Sequence, residues 1–486
     1  MISTMPTTIE HLEPQSVWKH FAALAAIPRA SEKEAAAREY VLAVARRLGL
    51  EFVQDAAGNV VVRKPARPGR EGAVPAALQG HLDMVCEKNE GTVHDFDLDP
   101  IRLAIEGDWL RADGTTLGAD NGVGVAAALA VMESESVAHG PLEFVFTIDE
   151  ESGLTGASKF PAGLLKARYF LNLDNEEEDT LCIGCAGGVN SVARRRIARG
   201  PAPAGEGWRI AVAGLAGGHS GVDIHRGRGN ALRILGRALQ ALGDKLRPAV
   251  VEIEGGSKRN AIPREAWAVV VVDESRAAEL KTLLAGFEAE ARADLGRFDP
   301  GLRIVAERVA RPDRVMADDD AGRIADLLAG QHHGVLAMSP DVPGLVQTST
   351  NLATVSTGAE EVEIATSQRS SIESGKRAAA RMVATVFRLG GFEVELSGHY
   401  PGWKPEPDSE IVRAAQAAHL EILGRKPELI AMHAGLECGV IGEKHPGMQM
   451  ISFGPHIVDV HSPSERIKIS SVGAFYRFLT GLLERI

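Results

Sequence analysis

Apolar residues follow two patterns along the first part of the chain, first a helical spacing and then short continuous runs. Helical spacing covers Ser16–Gly49, where Pro28 separates two predicted helices and a Ser31-x-x-Glu34 pair predicts a capping box for the second. Short continuous apolar runs then alternate with a helical stretch, as expected for strands that are buried on both faces of a sheet. These segments are Pro75–Gln79, Val123–Ser134, Leu142–Ile148 and Tyr169–Leu173. We therefore predict an α/β domain with a mostly parallel sheet over residues 1–186.

The pattern changes after Cys185, because the later strands alternate apolar and polar residues instead of forming continuous apolar runs. We predict an α+β region over residues 187–398. Within it the order strand, strand, helix, strand occurs twice, at 248–309 and 351–397, which indicates a duplicated split β-α-β unit. The two copies are expected at 187–309 and 310–398.

The pattern of the first domain returns near the end of the chain. Ser409–Gly424 and Val472–Ile486 are predicted helices, and Met448–Phe453 is apolar enough to be a buried strand. These elements predict one discontinuous α/β domain, formed by residues 1–186 and 399–486, with the α+β region inserted between its two parts.

The charge and the composition of the chain argue against two classes of partner, nucleic acids and membranes. The 486 residues include 53 basic and 65 acidic side chains, and the resulting net charge of −12 argues against a nucleic acid partner, since phosphate contacts need a basic surface. The chain lacks a run of the roughly 18 apolar residues needed to span a bilayer, so no membrane partner is expected. Four cysteines are too few for a disulfide framework, and Met1–Gln15 lacks the pattern of a secretory signal. We expect a cytoplasmic protein.

The first candidate for chemistry follows the strand Pro75–Gln79, in the sequence Gly80-His81-Leu82-Asp83. Residues i and i+2 of a strand point to the same side, so His81 and Asp83 share one face at the carboxyl end of the strand, where open α/β sheets place their ligands. An imidazole that binds a metal is often oriented by a carboxylate on its other nitrogen. A surface pair of side chains is the alternative interpretation.

Acidic residues lie at corresponding places further along the chain. Asp120 lies in a glycine-rich turn before a helix, Glu150 and Glu151 follow one buried strand, and Asp174 ends the next. Adjacent carboxylates at the end of a buried strand repel one another unless a cation or a proton lies among them. The alternatives are a capped helix at Asp120 and a solvated acidic loop at Glu150.

A second histidine, His461, follows the predicted strand Met448–Phe453. Divalent metals accept mixed carboxylate and imidazole ligands, and a pair of ions needs a carboxylate that bridges them. The candidate metal ligands are His81, Asp120, Glu151, Asp174 and His461.

In their order along the chain, these motifs resemble the M20 family of dinuclear zinc peptidases, and most closely its aminoacyl-histidine dipeptidase branch, also called Xaa-His dipeptidase or carnosinase-like. The resemblance extends over nearly the whole chain and implies a zinc-peptidase catalytic domain with an inserted α+β lid domain. Its motifs are Gly80-His-Leu-Asp-Met-Val, Leu117-Gly-Ala-Asp-Asn-Gly-Val-Gly, Asp149-Glu-Glu-Ser-Gly-Leu-Thr-Gly, Asn172-Leu-Asp, Gly217-Gly-His-Ser-Gly and Asp459-Val-His-Ser-Pro.

The resemblance implies two zinc ions, with manganese or cobalt as alternatives, and a position for each candidate ligand. Asp120 would bridge the two ions. One ion would also be bound by His81 and Asp174, and the other by Glu151 and His461.

Two further acidic residues receive roles from the resemblance. Glu150 would be the general base that takes a proton from the attacking water, and Asp83 would orient His81. Zinc lowers the pKa of a bound water towards roughly 7, so a nearby carboxylate can complete its deprotonation at neutral pH.

The substrate side of the site is also implied by the resemblance. His219, in the lid motif, would contact the tetrahedral intermediate. Arg369 and Asn260 would hold the terminal carboxylate of the substrate, and Gly435 lies in a loop on the substrate side. A glycine-rich turn at His219 and surface or turn positions at Arg369 and Asn260 are the alternatives. Glu437 has no role that the sequence indicates.

The sequence therefore predicts metal-dependent hydrolysis of the peptide bond of unblocked dipeptides, including substrates of the Xaa-His type such as carnosine. Its alternatives are an N-acyl-amino-acid amidohydrolase of the same fold and a catalytically silent metal-binding protein. In simpler members of the family the lid forms a dimer and its histidine reaches the partner subunit. Because the lid is predicted to be duplicated here, we expect His219 to act within its own chain, so that a homodimer is not required.

Overall fold

The computed structural model describes residues 8–486, and their contacts divide the chain into two compact units. The first seven residues of Met1–Gln15, on which the expectation about a secretory signal rests, lie outside the described part. The first unit comprises the chain up to Gly184 with Trp403–Ala431 and Leu436–Ile486, and the second comprises Cys185–Gly402 and Met432–Gly435. Among the described residues, no helix is both long and apolar enough to cross a membrane.

Helices and strands make up most of the described chain. The first stretch contains α1 Gln15–Ala25, α2 Ala35–Arg47, β1 Glu51–Gln54, β2 Val60–Lys64, β3 Ala76–His81, β4 Leu103–Glu106, β5 Trp109–Ala112, α3 Ala119–Glu133, β6 Leu142–Thr147, α4 Thr155–Lys159, β7 Tyr169–Asn172 and β8 Thr180–Cys185. The middle stretch contains β9 Gly187–Arg196, β10 Arg199–Pro201, β11 Glu206–Ala213, β12 Gly218–His219, α5 Ala231–Lys245, β13 Ala249–Gly255, β14 Ala261–Ile262, β15 Ala266–Val272, α6 Ala277–Leu295, β16 Arg303–Val309, β17 Arg314–Met316, α7 Asp318–Gly330, β18 Gly334–Met338, β19 Val346–Thr357, β20 Glu361–Ser370, α8 Glu373–Leu389 and β21 Glu393–Tyr400. The last stretch contains α9 Glu410–Leu423, β22 Glu428–Met432, α10 Glu437–Lys444, β23 Gln449–Ser452, β24 Ile457–Val458, β25 Arg466–Lys468 and α11 Ile469–Leu483.

The first unit is built on an eight-stranded mixed sheet with the order β1-β2-β6-β3-β7-β23-β8-β22. Its four central strands, β6, β3, β7 and β23, are parallel, while β2 and β8 pair antiparallel at either side of them. All residues of β3, β6 and β7 are buried, which explains their continuous apolar runs. The predicted α/β fold class is confirmed, and the carboxyl ends of the parallel strands share one edge of the sheet.

A small four-stranded sheet, β24-β25-β5-β4, joins the last part of the chain to the segment before α3. Residues 459–465 form the connection between β24 and β25, so this sheet fixes both ends of the loop that carries His461. The sequence pattern did not predict these strands, because two of them have only two or three residues.

The capping box predicted for α2 is wrong. The helix begins at Ala35 without a side-chain cap. The Ser31 hydroxyl instead donates to Asp83 Oδ2 at 2.8 Å, and Glu34 Oε1 accepts a hydrogen bond from the backbone N–H of Asp149 at 3.0 Å. Both side chains are thus directed to the loops at the carboxyl ends of β3 and β6, where long-range partners outcompete the local cap.

The second unit contains a nine-stranded antiparallel sheet. Eight of its strands have the order β16-β11-β15-β13-β19-β20-β9-β21, and the ninth, β18, pairs with β19. The helices α5, α6, α7 and α8 contribute to its hydrophobic core, through side chains such as Leu235, Leu284, Ile324 and Phe387. An antiparallel sheet that shares a hydrophobic core with helices agrees with the predicted α+β character of this region.

Two halves of this sheet repeat the same connectivity. One half is β11-α5-β13-β15-α6-β16 and the other is β9-α7-β19-β20-α8-β21, and they meet where β13 pairs with β19. The sequence-based boundary at residue 310 places β9 with the first copy. The strand order places it with the second, because Gly187–Arg196 pairs with β20 and β21. The first half is therefore inserted into the second.

The predicted bounds of the insertion, 187 and 398, lie close to the bounds of the second unit. That unit begins two residues earlier and ends its main segment four residues later. It also includes Met432–Gly435, which the sequence-based division assigned to the other domain.

Candidate functional site

The five candidate metal ligands lie together at the carboxyl edge of the parallel strands of the first unit. His81 is the last residue of β3, Glu151 lies in the loop after β6, and Asp174 follows β7 by two residues. Asp120 lies at the start of α3, and His461 lies in the loop between β24 and β25. Five separate segments thus deliver one side chain each.

The two carboxylate oxygens of Asp120 face different histidines. Oδ1 lies 3.0 Å from His81 Nε2, and Oδ2 lies 3.1 Å from His461 Nε2. His81 Nε2 is also 3.4 Å from Asp174 Oδ1, and His461 Nε2 is 3.0 Å from Glu151 Oε1. The ligand atoms therefore form two groups of three that share Asp120, each with its atoms within 4.8 Å of one another.

Burial and hydrogen bonding shift the pKa values of several side chains in this cluster. Burial raises the pKa of Asp174 to about 7, and the pKa of Glu150 is raised well above its usual value for the same reason. Hydrogen bonds to Asp120 and then Glu151 raise the pKa of His461 to about 11. Carboxylates packed at this density need positive charge among them.

The donor set fits a pair of divalent cations. It combines two imidazole nitrogens with the oxygens of three carboxylates, and the shared Asp120 has one oxygen directed to each group. Such mixed oxygen and nitrogen sets suit zinc and also accept manganese or cobalt.

Asp83 is fixed behind His81. Its Oδ1 lies 3.2 Å from His81 Nδ1, which leaves Nε2 directed to the ligand cluster. The carboxylate also accepts the backbone N–H groups of Glu150 and Glu151, each at 3.1 Å. Burial opposes ionisation of Asp83, but the hydrogen bond and the charge of His81, together with the hydrogen bonds from the Glu150 N–H and the Ser31 hydroxyl, outweigh it and hold the pKa of Asp83 below its usual range. Asp83 thus joins β3 to the loop after β6.

The three consecutive acids after β6 have different surroundings. Asp149 is buried and accepts a hydrogen bond from the Ser152 hydroxyl at 2.5 Å. Glu151 belongs to the group with His461. Glu150 has a carboxylate oxygen within 4.8 Å of ligand atoms of His81 and Glu151. Only the second and third acids of the run therefore face the ligand cluster.

A buried polar network that was not predicted from the sequence lies next to the candidate ligands. Glu437 Oε2 accepts hydrogen bonds from Gln79 Nε2 at 2.5 Å and from the Thr147 hydroxyl at 2.7 Å, and burial raises the pKa of Glu437 to about 7. Asn172 Nδ2 donates to Gln79 Oε1 at 2.5 Å. Gln79 and Asn172 each precede a candidate ligand by two residues, so the strand period of two was a signal that could have found them.

The second unit carries the predicted substrate-side residues. His219 lies in β12, which pairs with β14, and the backbone carbonyl of Asn260 accepts the N–H of Ser220 at 2.8 Å. Asn260 is exposed and immediately precedes β14. The structure therefore brings Asn260 next to the His219 motif.

The tautomer of His219 follows from its local hydrogen bonds. The backbone N–H groups of Gly221 and Val222 donate to Nδ1 at 3.3 and 3.2 Å, so the ring proton lies on Nε2. Burial, with the positive charge of Arg369, lowers the pKa of His219. The side chain is thus a neutral imidazole with a hydrogen-bond donor at Nε2.

Arg369 lies near the end of β20 and is held by Tyr400. Its Nη1 donates to the Tyr400 hydroxyl at 2.9 Å, while Nε is buried without a hydrogen-bond partner among the described residues. The Tyr400 ring lies between two glycines, because a Cβ would come within 2.4 Å of it at Gly188 and 2.9 Å at Gly435. Gly435 thus has a packing role at Tyr400.

His433 is a neighbour of these residues that no sequence motif indicates. Its Nε2 lies 2.7 Å from the Ser349 hydroxyl, and a Cβ at Gly221 would come within 2.0 Å of its carbonyl oxygen. Burial, followed by the charges of Arg369 and His219, lowers its pKa to about 3. Contact with His433 therefore explains the last glycine of the Gly217–Gly221 motif.

Several known proteins are similar to this chain along almost its whole length. The cytosol non-specific dipeptidase of Escherichia coli (strain K12) is 39% identical over 479 residues, which cover 98% of this chain and 99% of that protein. The crystal structure of aminoacylhistidine dipeptidase from Vibrio alginolyticus matches with a TM-score of 0.92 and 42% identity, covering 99% of this chain and 98% of that one. Aminopeptidase PepT from Bacillus cereus shares the fold, with a TM-score of 0.57 and 17% identity over 98% of this chain and 99% of that one.

The model of peptidase family M20/M25/M40 matches residues 77–485, which include all five candidate metal ligands. The family resemblance drawn from the motifs is thereby confirmed, and the chain belongs to this peptidase family.

Proposed function

We propose that the protein is a metal-dependent dipeptidase that hydrolyses the peptide bond of unblocked dipeptides, including Xaa-His substrates. The observation that carries this proposal is the shared carboxylate of Asp120, whose two oxygens face His81 and His461 in two separate ligand groups. Two relatives that are 39% and 42% identical to this chain along almost its whole length are dipeptidases.

The proposed cofactor is a pair of Zn²⁺ ions, with Mn²⁺ or Co²⁺ as alternatives. His81 and Asp174 would hold one ion, Glu151 and His461 would hold the other, and Asp120 would contact both. When bound, such ions polarise a carbonyl group and lower the pKa of water so that it can attack at neutral pH.

Glu150 is the proposed general base. It is adjacent in sequence to the ligand Glu151, and its backbone is fixed through Asp83. A carboxylate within hydrogen-bond reach of the attacking water accepts its proton and can return it to the leaving amine. Asp83 would act through His81, because its hydrogen bond to Nδ1 fixes the ring orientation.

His219, Arg369, Asn260 and Gly435 are proposed to act on the substrate. The Nε2–H of His219 is suited to donate to the oxygen that becomes negatively charged in the tetrahedral intermediate. The buried Nε–H of Arg369 has no partner among the described residues, which supports a role in binding the terminal carboxylate of a dipeptide. Asn260 would assist at that carboxylate, and Gly435 would keep Tyr400 beside Arg369.

We also propose that the enzyme acts in the cytoplasm, because its relative from Escherichia coli is a cytosolic dipeptidase. The repeated halves of the second unit support the proposal that this unit is a duplicated lid. His219 would then act within its own chain, with no requirement for a homodimer.

The proposal is tested by removing metal and supplying substrates. Protein treated with a chelator is expected to be inactive and to recover with Zn²⁺, Mn²⁺ or Co²⁺, because the metal supplies both the Lewis acid and the activated water. A panel of carnosine, Ala-His, Leu-Gly and N-acetyl amino acids is then assayed with each metal. We expect cleavage of the free dipeptides, with two ions per chain by elemental analysis.

Two outcomes would contradict this expectation. Absence of cleavage of every free dipeptide would exclude dipeptidase activity, and selective cleavage of the N-acetyl amino acids would indicate the amidohydrolase alternative. Full activity after complete metal removal would exclude the metal-dependent mechanism.

Arg369→Lys is expected to lower kcat/KM for dipeptides by about 10- to 100-fold, mainly through KM. A lysine keeps the charge but cannot match a carboxylate with two parallel hydrogen bonds, and a charge-assisted hydrogen bond contributes about 1.5–3 kcal/mol. The control is Arg377→Lys, at an exposed position of α8 in the same unit. Dipeptide amides should be hydrolysed equally by wild type and Arg369→Lys, and an equal loss with amides would contradict the carboxylate assignment.

A further inference from the structure

Glu465 binds the loop that carries Asp120 through four consecutive backbone groups. Its carboxylate accepts the N–H groups of Leu117, Gly118, Ala119 and Asp120, at 2.8, 3.0, 2.8 and 3.3 Å respectively. The side chain is only 2% exposed. Hydrogen bonds to an ionised acceptor are about twice as strong as neutral ones, and this carboxylate uses both oxygens on one segment.

Arg29 binds the same loop from its carbonyl side. Its Nη2 donates to the Gly118 carbonyl at 2.5 Å, and its Nη1 donates to the carbonyls of Leu82 and Asp83 at 3.0 and 2.7 Å. The guanidinium is 3% exposed and therefore needs these partners. One side chain thus joins the segment after β3 to the loop before α3.

The glycines of the Asp120 motif make room for Arg29. A Cβ would come within 2.5 Å of Arg29 Nη2 at Gly118, where φ is +69°, and within 2.7 Å of it at Gly122. The positive φ at Gly118 also favours glycine. The glycine-rich turn in the sequence is therefore the surface on which the guanidinium packs.

The two buried side chains connect three segments that carry candidate ligands. Arg29 joins the segment of His81 to the loop of Asp120. Glu465 joins that loop to the segment of His461, which lies four residues earlier in the chain. The carboxylate of Asp120 must reach both histidines, so its backbone position decides whether both ligand groups can form.

We propose that Arg29 and Glu465 are positioning residues for the two-metal site, which set the backbone of the Asp120 loop relative to His81 and His461. The inference rests on the proposed function, because it concerns the affinity of the chain for that pair of ions. Neither side chain belongs to the ligand set, and both act through the backbone that they bind.

Glu465→Gln is expected to weaken binding of Zn²⁺ by about 10- to 100-fold, the usual cost of losing a group that orients a metal ligand. The amide keeps the size of the side chain but turns an NH₂ group towards backbone donors. Affinity is measured by titrating metal-free protein with Zn²⁺ against a chromophoric chelator. At saturating Zn²⁺, kcat is expected to be lowered with KM for the dipeptide unchanged.

Glu143→Gln is the matched control. Glu143 is also a buried carboxylate of the first unit that accepts two backbone N–H groups, those of Lys166 and Ala167 at 2.7 and 2.9 Å. It lies at the amino end of β6, away from the edge that carries the ligands. The control is expected to keep the Zn²⁺ affinity of wild type, even where its thermal unfolding midpoint falls as much as that of Glu465→Gln.

Arg29→Lys provides a second variant if Glu465→Gln does not fold. A lysine keeps the charge, but it lacks the planar guanidinium that donates to the carbonyls of Leu82, Asp83 and Gly118 at once. The affinity for Zn²⁺ should therefore fall again. Wild-type affinity in a folded variant, or an equal loss in Glu143→Gln, would overturn the inference. The proposed function fails separately, if wild type itself binds fewer than two ions or cleaves no dipeptide.

Discussion

In Glu150→Gln, kcat for free dipeptides is expected to fall by about 10²- to 10⁴-fold, because an amide cannot accept the proton that a general base removes. The bound ions and KM should change little, since Glu150 is outside the two groups that share Asp120. Steady-state kinetics with metal-saturated protein measure the effect, and elemental analysis measures the metal content.

Glu151→Gln is the matched comparison for this experiment. It makes the same chemical change one residue later, at a side chain whose oxygens both lie 3.0 Å from His461 Nε2. This variant is expected to lose metal as well as activity. Substantial activity in Glu150→Gln would exclude Glu150 as the base, and loss of an ion from it would place Glu150 among the ligands.

His219→Ala is expected to lower kcat by about 10²- to 10³-fold, which is the usual cost of removing a hydrogen-bond donor to the developing oxyanion. The structure holds the ring as a neutral donor at Nε2. His225→Ala, at an exposed position in the same unit, is the control and should retain activity. Retained activity in His219→Ala would remove this side chain from the mechanism.

The same variant tests whether the site is built within one chain. Chains carrying Glu150→Gln and chains carrying His219→Ala are coexpressed and purified together through different tags. We expect no recovery of activity, because each chain would need its own base and its own imidazole. Recovered activity would show that His219 acts across subunits and would contradict the role proposed for the duplicated halves.

The candidate ligands could be proposed from the sequence because each lies near the end of a recognisable element. His81 ends β3 and Asp174 follows β7, so local pattern and the geometry of parallel sheets were sufficient to suggest a common edge. The family motifs then related them to His461, which is 287 residues beyond Asp174 in the chain.

The supporting contacts could not be predicted in this way. Glu465 and Glu437 bind partners 348 and 358 residues earlier in the chain, and no local pattern indicates such pairs. The capping box at Ser31 failed for a related reason, because the hydroxyl reaches Asp83 in another segment. The assignment of β9 to one of the repeated halves likewise depends on its long-range pairing with β20, which no local pattern indicates.

The distribution of ligands along the chain has a consequence for synthesis. Four of the five candidate ligands lie between His81 and Asp174, while His461 and Glu465, which binds the Asp120 loop, follow much later in the chain. At about 5–20 residues per second, a ribosome takes about 15–60 s to travel from Asp174 to His461. A nascent chain thus holds the three candidate ligands of the first group, His81, Asp120 and Asp174, well before His461 is added and the second group can form.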